Sequence, residues 1–219
     1  MTGSAQERLA AAQRQFDEGG GENRLIRLIE TGQAPLSVIG KLAAEQHRVI
    51  TSDWRAFLTL AARAEEPNAR QFFSGLAAGE AVALERVAML ARRCGMDAEA
   101  VRAYRTQPGC QSYPSYVASL ALNGDPLDVL VTLVAGFGGW GGYCASASRG
   151  LREHYGFDDE GCGFFDLFAD PQPESDRLAQ AAVEAGIAAG WTGAAVEDQV
   201  RLLQHYEHQF WNTLADLGE

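Results

Sequence analysis

The segment Val196-Glu197-Asp198-Gln199-Val200-Arg201-Leu202-Leu203-Gln204-His205-Tyr206-Glu207-His208-Gln209-Phe210-Trp211-Asn212-Thr213-Leu214 decides the fold class. Val196, Val200, Leu203, Glu207, Phe210 and Leu214 step by four, three, four, three and four residues, so they share one face of an α-helix. That face is apolar except at its middle, where Glu207 stands. A carboxylate turned toward a core must be hydrogen-bonded, paired or protonated, because an unpaired buried charge costs several kcal/mol or moves its pKa upward. Glu207 therefore either tilts to solvent, binds a core arginine, or belongs to a polar pocket.

Two other segments repeat the anomaly. Over 68–93, Phe73, Leu76, Glu80, Leu84, Val87 and Ala91 share a face with a glutamate in the middle. Over 36–65 the stripe is Ile39, Ala43, Gln46, Ile50, then Asp53 or Trp54, then Phe57. Three helices carrying polar groups toward one interior point to a polar-lined central pocket. A fourth element agrees. Gly136-Phe137-Gly138-Gly139-Trp140-Gly141-Gly142 falls inside an otherwise helical run, and five interior glycines would cost a helix about 2.5–5 kcal/mol relative to alanine. Either these glycines let a neighbouring helix or a ligand approach the backbone, or the segment is a loop between two helices.

Helical spacing extends through most of the chain, and no segment sustains period-two alternation of β-branched residues; a short strand at Gly163 to Phe168 is the one competitor. Helices are expected over about 5–18, 22–31, 36–65, 68–93, 98–105, 114–122, 126–155, 174–189 and 193–217, with 156–163 as a loop. Asn123-Gly124-Asp125-Pro126 is the clearest boundary: a closing glycine, an N-cap aspartate and a proline at the first helical position. No linker, low-complexity tract or repeat divides residues 1–219. The expectation is one all-α domain, a helical bundle around a central pocket.

Composition narrows the function. Of 219 residues, 18 are basic and 29 acidic, for a formal charge of −11. Phosphate binding needs clustered Lys and Arg, so the charge disfavours nucleic acid and anionic membrane surfaces as partners. No apolar stretch is expected to reach the roughly 18–20 residues of a spanning helix, since Val129 to Val134 runs into glycines. With no basic-then-apolar leader at the N-terminus, a cytoplasmic location is expected. Cys94, Cys110, Cys144 and Cys162 are far apart, and with four histidines they form no zinc pattern, so no metal and no cofactor is expected.

Tyr206-Glu207-His208-Gln209-Phe210-Trp211 resembles the Y-E-x-x-F-W signature that closes the last helix of the TenA/THI-4/PqqC family, whose members have the haem-oxygenase-like all-α fold. Weaker landmarks keep the family's order: Ala34-Pro35-Leu36, the acidic stretch Glu80 to Leu90, Ser112-Tyr113, Leu122-Asn123-Gly124, and the pair Phe164 and Phe168. The resemblance spans about 35–214. It implies a central pocket that, in thiamin-salvage members, hydrolyses an aminopyrimidine. A glutamate of the last helix grips the ring and shuttles protons, and Glu207 matches it. The family's nucleophilic cysteine aligns with Gly136, and Cys144 is two turns away. The family aspartate that binds the pyrimidine amine aligns with Gln46, a neighbouring tyrosine with Val49, and the tyrosine that orients the cysteine with Phe168.

The resemblance therefore implies a divergent member without the thiolate, binding a small aromatic heterocycle. Glu207 and Glu80 are the candidate catalytic carboxylates, and Gln46, Tyr113, Gly136, Trp140, Phe168 and Trp211 the candidate ligand contacts, with Trp54 a further aromatic wall. A cysteine-independent aminopyrimidine hydrolase is one reading, with Glu207 acting on a water. A non-catalytic binding or accessory protein is the other. A carboxylate-bridged iron oxidase of the same fold would need inward histidines, yet His47, His154, His205 and His208 form no Glu-x-x-His pattern, and haem would need an early axial histidine. Transcriptional regulation lacks a basic recognition helix. By analogy with the family a homo-oligomer is expected.

Overall fold

The structure is a computed structural model and describes residues 3–218. It contains ten α-helices and no strand among those residues: α1 (Ala5–Gly19), α2 (Arg24–Glu30), α3 (Leu36–Arg63), α4 (Pro67–Arg93), α5 (Ala98–Ala103), α6 (Pro108–Asn123), α7 (Pro126–Tyr155), α8 (Asp159–Ala169), α9 (Pro173–Ala188) and α10 (Val196–Asp216). Six of them close a ring in which each packs on the next: α3 on α4, α4 on α8, α8 on α7, α7 on α10, α10 on α6, and α6 back on α3. Helices α1 and α2 pack outside the ring against α7 and α10, and α9 lies on α4, α7 and α1.

Three expectations need correcting. α6 begins at Pro108, six residues before Pro114, which lies inside the helix. Pro108 sits at the first position, where no amide donor is required, while the buried Pro114 lies inside the helix and forgoes the amide donation to the Cys110 carbonyl. Residues 159–169 form α8 and not a loop leading to a strand; Asp158 caps it by accepting from the Gly161 N–H at 3.0 Å. The third correction is to hydropathy, not to bounds: α7 keeps the expected range of 126–155 and runs unbroken through Gly136–Gly142 for 30 residues, so the loop alternative falls. It is consequently long and apolar enough, on length and composition, to cross a membrane, contrary to the reading that glycines cut the run short. It packs against α1, α2, α8, α9 and α10.

Gly136 and Gly141 of α7 are explained by what lies beside them, whereas Gly142 has nothing within 4 Å of its Cβ position. A Cβ on Gly136 would stand 3.4 Å from the Phe16 ring of α1, and one on Gly141 3.2 Å from the Phe168 carbonyl oxygen at the end of α8. Close approach of these two neighbours offsets the helix-propensity cost. Asp125 caps the helix through the Leu127 and Asp128 N–H groups at 2.9 and 3.3 Å, and Gly156 ends it in the left-handed region at φ 66°.

Buried side chains fall into two clusters separated along the helix axes. One holds Ala56 to Ala64, Ala69 to Ala77, Val117 to Ala121, Leu127 to Ala135, and Val196 to Leu203. The other holds Val38 to Ile50, Ala83 to Ala91, Cys144 to Leu151, Phe164, Phe165, and Phe210 to Ala215. Asp53, Glu80, Gly136 to Trp140 and Glu207 lie in the intervals between the clusters on their own helices, and Tyr113 packs against both. The ring therefore has two apolar floors and a polar storey between them.

Candidate functional site

That middle storey encloses a cavity of about 590 Å³, within the size range of small-molecule sites. Gln46, Ile50, Asp53 and Phe57 enter from α3, Glu80 from α4, Tyr113 from α6, Gly136 and Trp140 from α7, Phe168 from α8, and Glu207 and Trp211 from α10. The mouth is bordered by the exposed Asp170, Pro171 and Gln172 and by Asp176 at the start of α9. Among the described residues, no lysine, arginine, histidine or cysteine lines the cavity.

Each functional side chain is held by its element. Glu45, fully buried on α3, accepts from the Gln107 N–H at 2.6 Å and from Gln111 Nε2 at 2.7 Å, which ties the start of α6 to α3 and sets Tyr113 facing inward. Ser112 Oγ donates to Gln209 Oε1 at 3.1 Å, joining α6 to α10 at the residue next to Tyr113. Arg152 donates to both oxygens of Asp166 at 3.1 and 2.8 Å, clamping α8 on α7. That clamp places Phe168 against Trp140, ring centroids 5.5 Å apart and nearly perpendicular, and Trp140 in turn lies 5.7 Å from Trp211.

The carboxyls are in an unusual state. Glu207 is 8% exposed and its Oε1 has no hydrogen-bond partner. Burial pushes its pKa up to about 8, although the Trp211 indole beside it pulls the other way without closing a hydrogen bond. Asp53 is 6% exposed with Oδ1 unpartnered, and burial raises it to about 8. Glu80 rises to about 9 through burial and then through the Asp53 charge. The Tyr113 hydroxyl is pushed well above its ordinary 10 by burial and by Asp53, Glu207 and Glu80, so it lies within electrostatic reach of all three. All three carboxyls are predominantly protonated near neutrality.

The structure gathers Glu207, Glu80, Gln46, Tyr113, Gly136, Trp140, Phe168 and Trp211 around this one cavity. Trp54, expected as a wall, instead packs against the first apolar cluster outside the lining. Asp53 was one of two alternatives on the α3 stripe, and it takes the inward position. Sequence reasoning misses the mouth residues, because the break at 170–173 carries no periodicity and the start of α8 falls in 156–163, which reads as a loop. The acidic first turn Asp158-Asp159-Glu160 was the available signal for that helix.

The protein's architecture has solved counterparts. A TenA homologue from P. horikoshii superposes with TM-score 0.72 over 97% of this chain and 98% of its own, at 16% identity. A Shewanella denitrificans domain of unknown function with a haem-oxygenase-like fold gives 0.74 over 95% and 90%, at 13% identity. The fold is the haem-oxygenase-like fold of the TenA homologues. A proposed TenA-like thiaminase from Sulfolobus solfataricus has the same fold, with TM-score 0.70 over 100% and 98% at 11% identity. No family sequence model matches the chain, and no curated protein matches it in sequence.

Within this TenA-like fold the thiols are placed away from the cavity. Cys144 is fully buried in the second apolar cluster, outside the cavity lining, and burial pushes its thiol well above its ordinary value. The donor set does not fit haem or a bridged iron pair. No imidazole reaches the cavity, and among the described residues no three His, Cys, Asp or Glu side chains come together closely enough to hold a metal ion.

Proposed function

We propose that this chain binds a small, flat aromatic heterocycle in the central cavity and hydrolyses a carbon–nitrogen bond of it without a cysteine, in the manner of an aminopyrimidine aminohydrolase. The observation that carries the reading is Glu207: a nine-tenths buried carboxyl, one oxygen unpartnered, lining a cavity walled by Trp140, Phe168 and Trp211. A carboxyl held near pKa 8 keeps its proton at neutral pH and can give it up to a leaving group. In the proposed step Glu207 protonates the departing nitrogen as the C–N bond breaks. The resulting carboxylate takes a proton from water as its oxygen bonds to carbon, which restores the acid. Glu80 is the second carboxyl, and Gln46 and Tyr113 are the polar contacts to the ring.

Incubation with aminopyrimidine amines and their formyl derivatives tests this. Turnover that disappears in Glu207→Gln is expected, and turnover unchanged in that variant overturns the mechanism. A second reading, a binding protein without activity, draws on the absence of any thiol from the cavity lining. It predicts saturable binding of the same compounds with no product. Metal analysis of the purified protein completes the set, since about two irons per chain would overturn both readings.

A further inference from the structure

Six glycines among the described residues have nothing within 4 Å of the position a Cβ would take: Gly75, Gly79, Gly95, Gly142, Gly156 and Gly190. Gly95, Gly156 and Gly190 have φ of 81°, 66° and 90°, where the backbone itself calls for glycine. Gly75 and Gly79 of α4 and Gly142 of α7 have no such reason. Each lies inside its helix, without a positive φ and with room for a side chain. Glycine weakens a helix interior relative to alanine, so stability alone would replace all three. All three line the central cavity, and all three are exposed, which puts them at its solvent end with Pro171, Gln172 and Asp176.

Two further observations tie these glycines to a ligand. The same cavity holds Glu207 Oε1 and Asp53 Oδ1, unpartnered oxygens of residues only 8% and 6% exposed, which call for a polar group from outside the chain. The cavity is also larger than one ring requires, since about 150 Å³ holds a benzene and this one measures about 590 Å³.

We propose that Gly75, Gly79 and Gly142 keep open a slot at the mouth, and that the ligand carries an apolar chain of several carbons that lies in this slot against the bare helix backbone. This rests on the reading above only in taking the cavity as the ligand site. Without side chains at these three positions, the chain can approach the backbone of α4 and α7 closely while its far end stays in solvent. An apolar chain fits because the N–H and C=O groups in the middle of α4 and α7 are already paired within their helices. An anionic chain end would meet Asp170 and Asp176, with no lysine, arginine or histidine among the lining residues to match it.

Isothermal titration of the full chain with the neutral probes benzamide, N-butylbenzamide and N-hexylbenzamide tests the proposal. Affinity is expected to rise with chain length by about two- to fourfold per methylene, fourfold being the value for complete burial. Gly79→Leu and Gly142→Leu, whose side chains fill the slot, should abolish that gain and leave benzamide within about twofold. Gly79→Ala should raise the urea midpoint, keep benzamide and shrink the gain, and it decides the matter if a leucine variant also loses benzamide. No gain with chain length, a gain unchanged in these variants, a Gly79→Ala protein less stable than the parent, or no binding of any probe overturns the proposal. So does a homo-oligomer that Gly79→Leu dissociates in sedimentation equilibrium, which would assign the glycines to a helix contact between copies. A chain-length gain without turnover of any aminopyrimidine refutes the hydrolase and leaves the slot standing. Turnover lost in Glu207→Gln with no chain-length gain refutes the slot alone.

Discussion

Glu207→Gln should make the protein more stable at neutral and alkaline pH, and the difference should vanish in acid. The folded protein holds Glu207 at about 8 against an ordinary 4.5, because the side chain is buried and Oε1 finds no donor. Between these two values the unfolded chain has lost the proton while the folded chain keeps it. Stability then falls as pH rises, by about 1.4 kcal/mol per unit for one group, and levels off above the folded value. Across the whole interval the loss is about 5 kcal/mol, reduced by whatever screening cavity water provides. Glutamine keeps the shape and removes the titration, so the variant escapes this loss.

Equilibrium urea unfolding at pH 5, 6, 7 and 8 measures the effect directly. The stability of the variant relative to the parent should rise steadily over this range, starting at about 1 kcal/mol or less at pH 5. Two results would refute the reasoning. A constant difference would mean that Glu207 titrates alike in both states and is not buried as described. A variant less stable by several kcal/mol at every pH above 5 would mean that the carboxylate is ionised and paired with a cation in solution.

Activity depending on protonated Glu207 should decline as pH rises through about 8, read from initial rates with the aminopyrimidine substrates. Those rates should survive iodoacetamide, because Cys110, Cys144 and Cys162 are buried and none of the four thiols lines the cavity; inactivation with labelling of Cys144 would restore a thiol mechanism. Asp125→Ala removes the carboxylate oxygen that accepts from the Leu127 and Asp128 N–H groups at the start of α7 and should cost about 0.5–2 kcal/mol in urea unfolding. Gly150→Ala should destabilise by about 1–3 kcal/mol, since its Cβ would stand 2.7 Å from the Ile29 carbonyl oxygen, whereas Gly75→Ala, with nothing within 4 Å, should stabilise by about 0.5–1 kcal/mol.

The fold class was legible because nearly every element is long enough to show its period. In α3, α4 and α10 the inward face reads directly from the spacing of Ile39, Phe73 or Val200 and their successors. The failures fall where local signals contradict tertiary placement. Pro114 argues for a helix start, yet α6 begins at Pro108 and contains it, and the α7 glycines leave helix and loop both open until Phe16 is seen against Gly136 and the Phe168 carbonyl against Gly141. Periodicity could not choose between Asp53 and Trp54, because the two are adjacent and both fit a stripe about 100° wide. Only the packing of α3 on both α4 and α6 turns Asp53 inward and leaves Trp54 on the first cluster.

What the separate stripes do not reveal is that their interruptions occur at one height. Glu207 lies between Leu203 and Phe210, Glu80 between Ala77 and Ala83, and Asp53 between Ile50 and Ala56, with one member of each pair in either apolar cluster. A single leucine-to-glutamate change in a continuous core would be severely destabilising. Three carboxyls at one level are accommodated because each cluster is closed by its own apolar residues, so the storey between them can give up packing without opening either. The same division accounts for the charge. The formal −11 counts three groups that keep their protons at neutral pH, and those groups acquire charge only when a cation or a reaction takes the proton away.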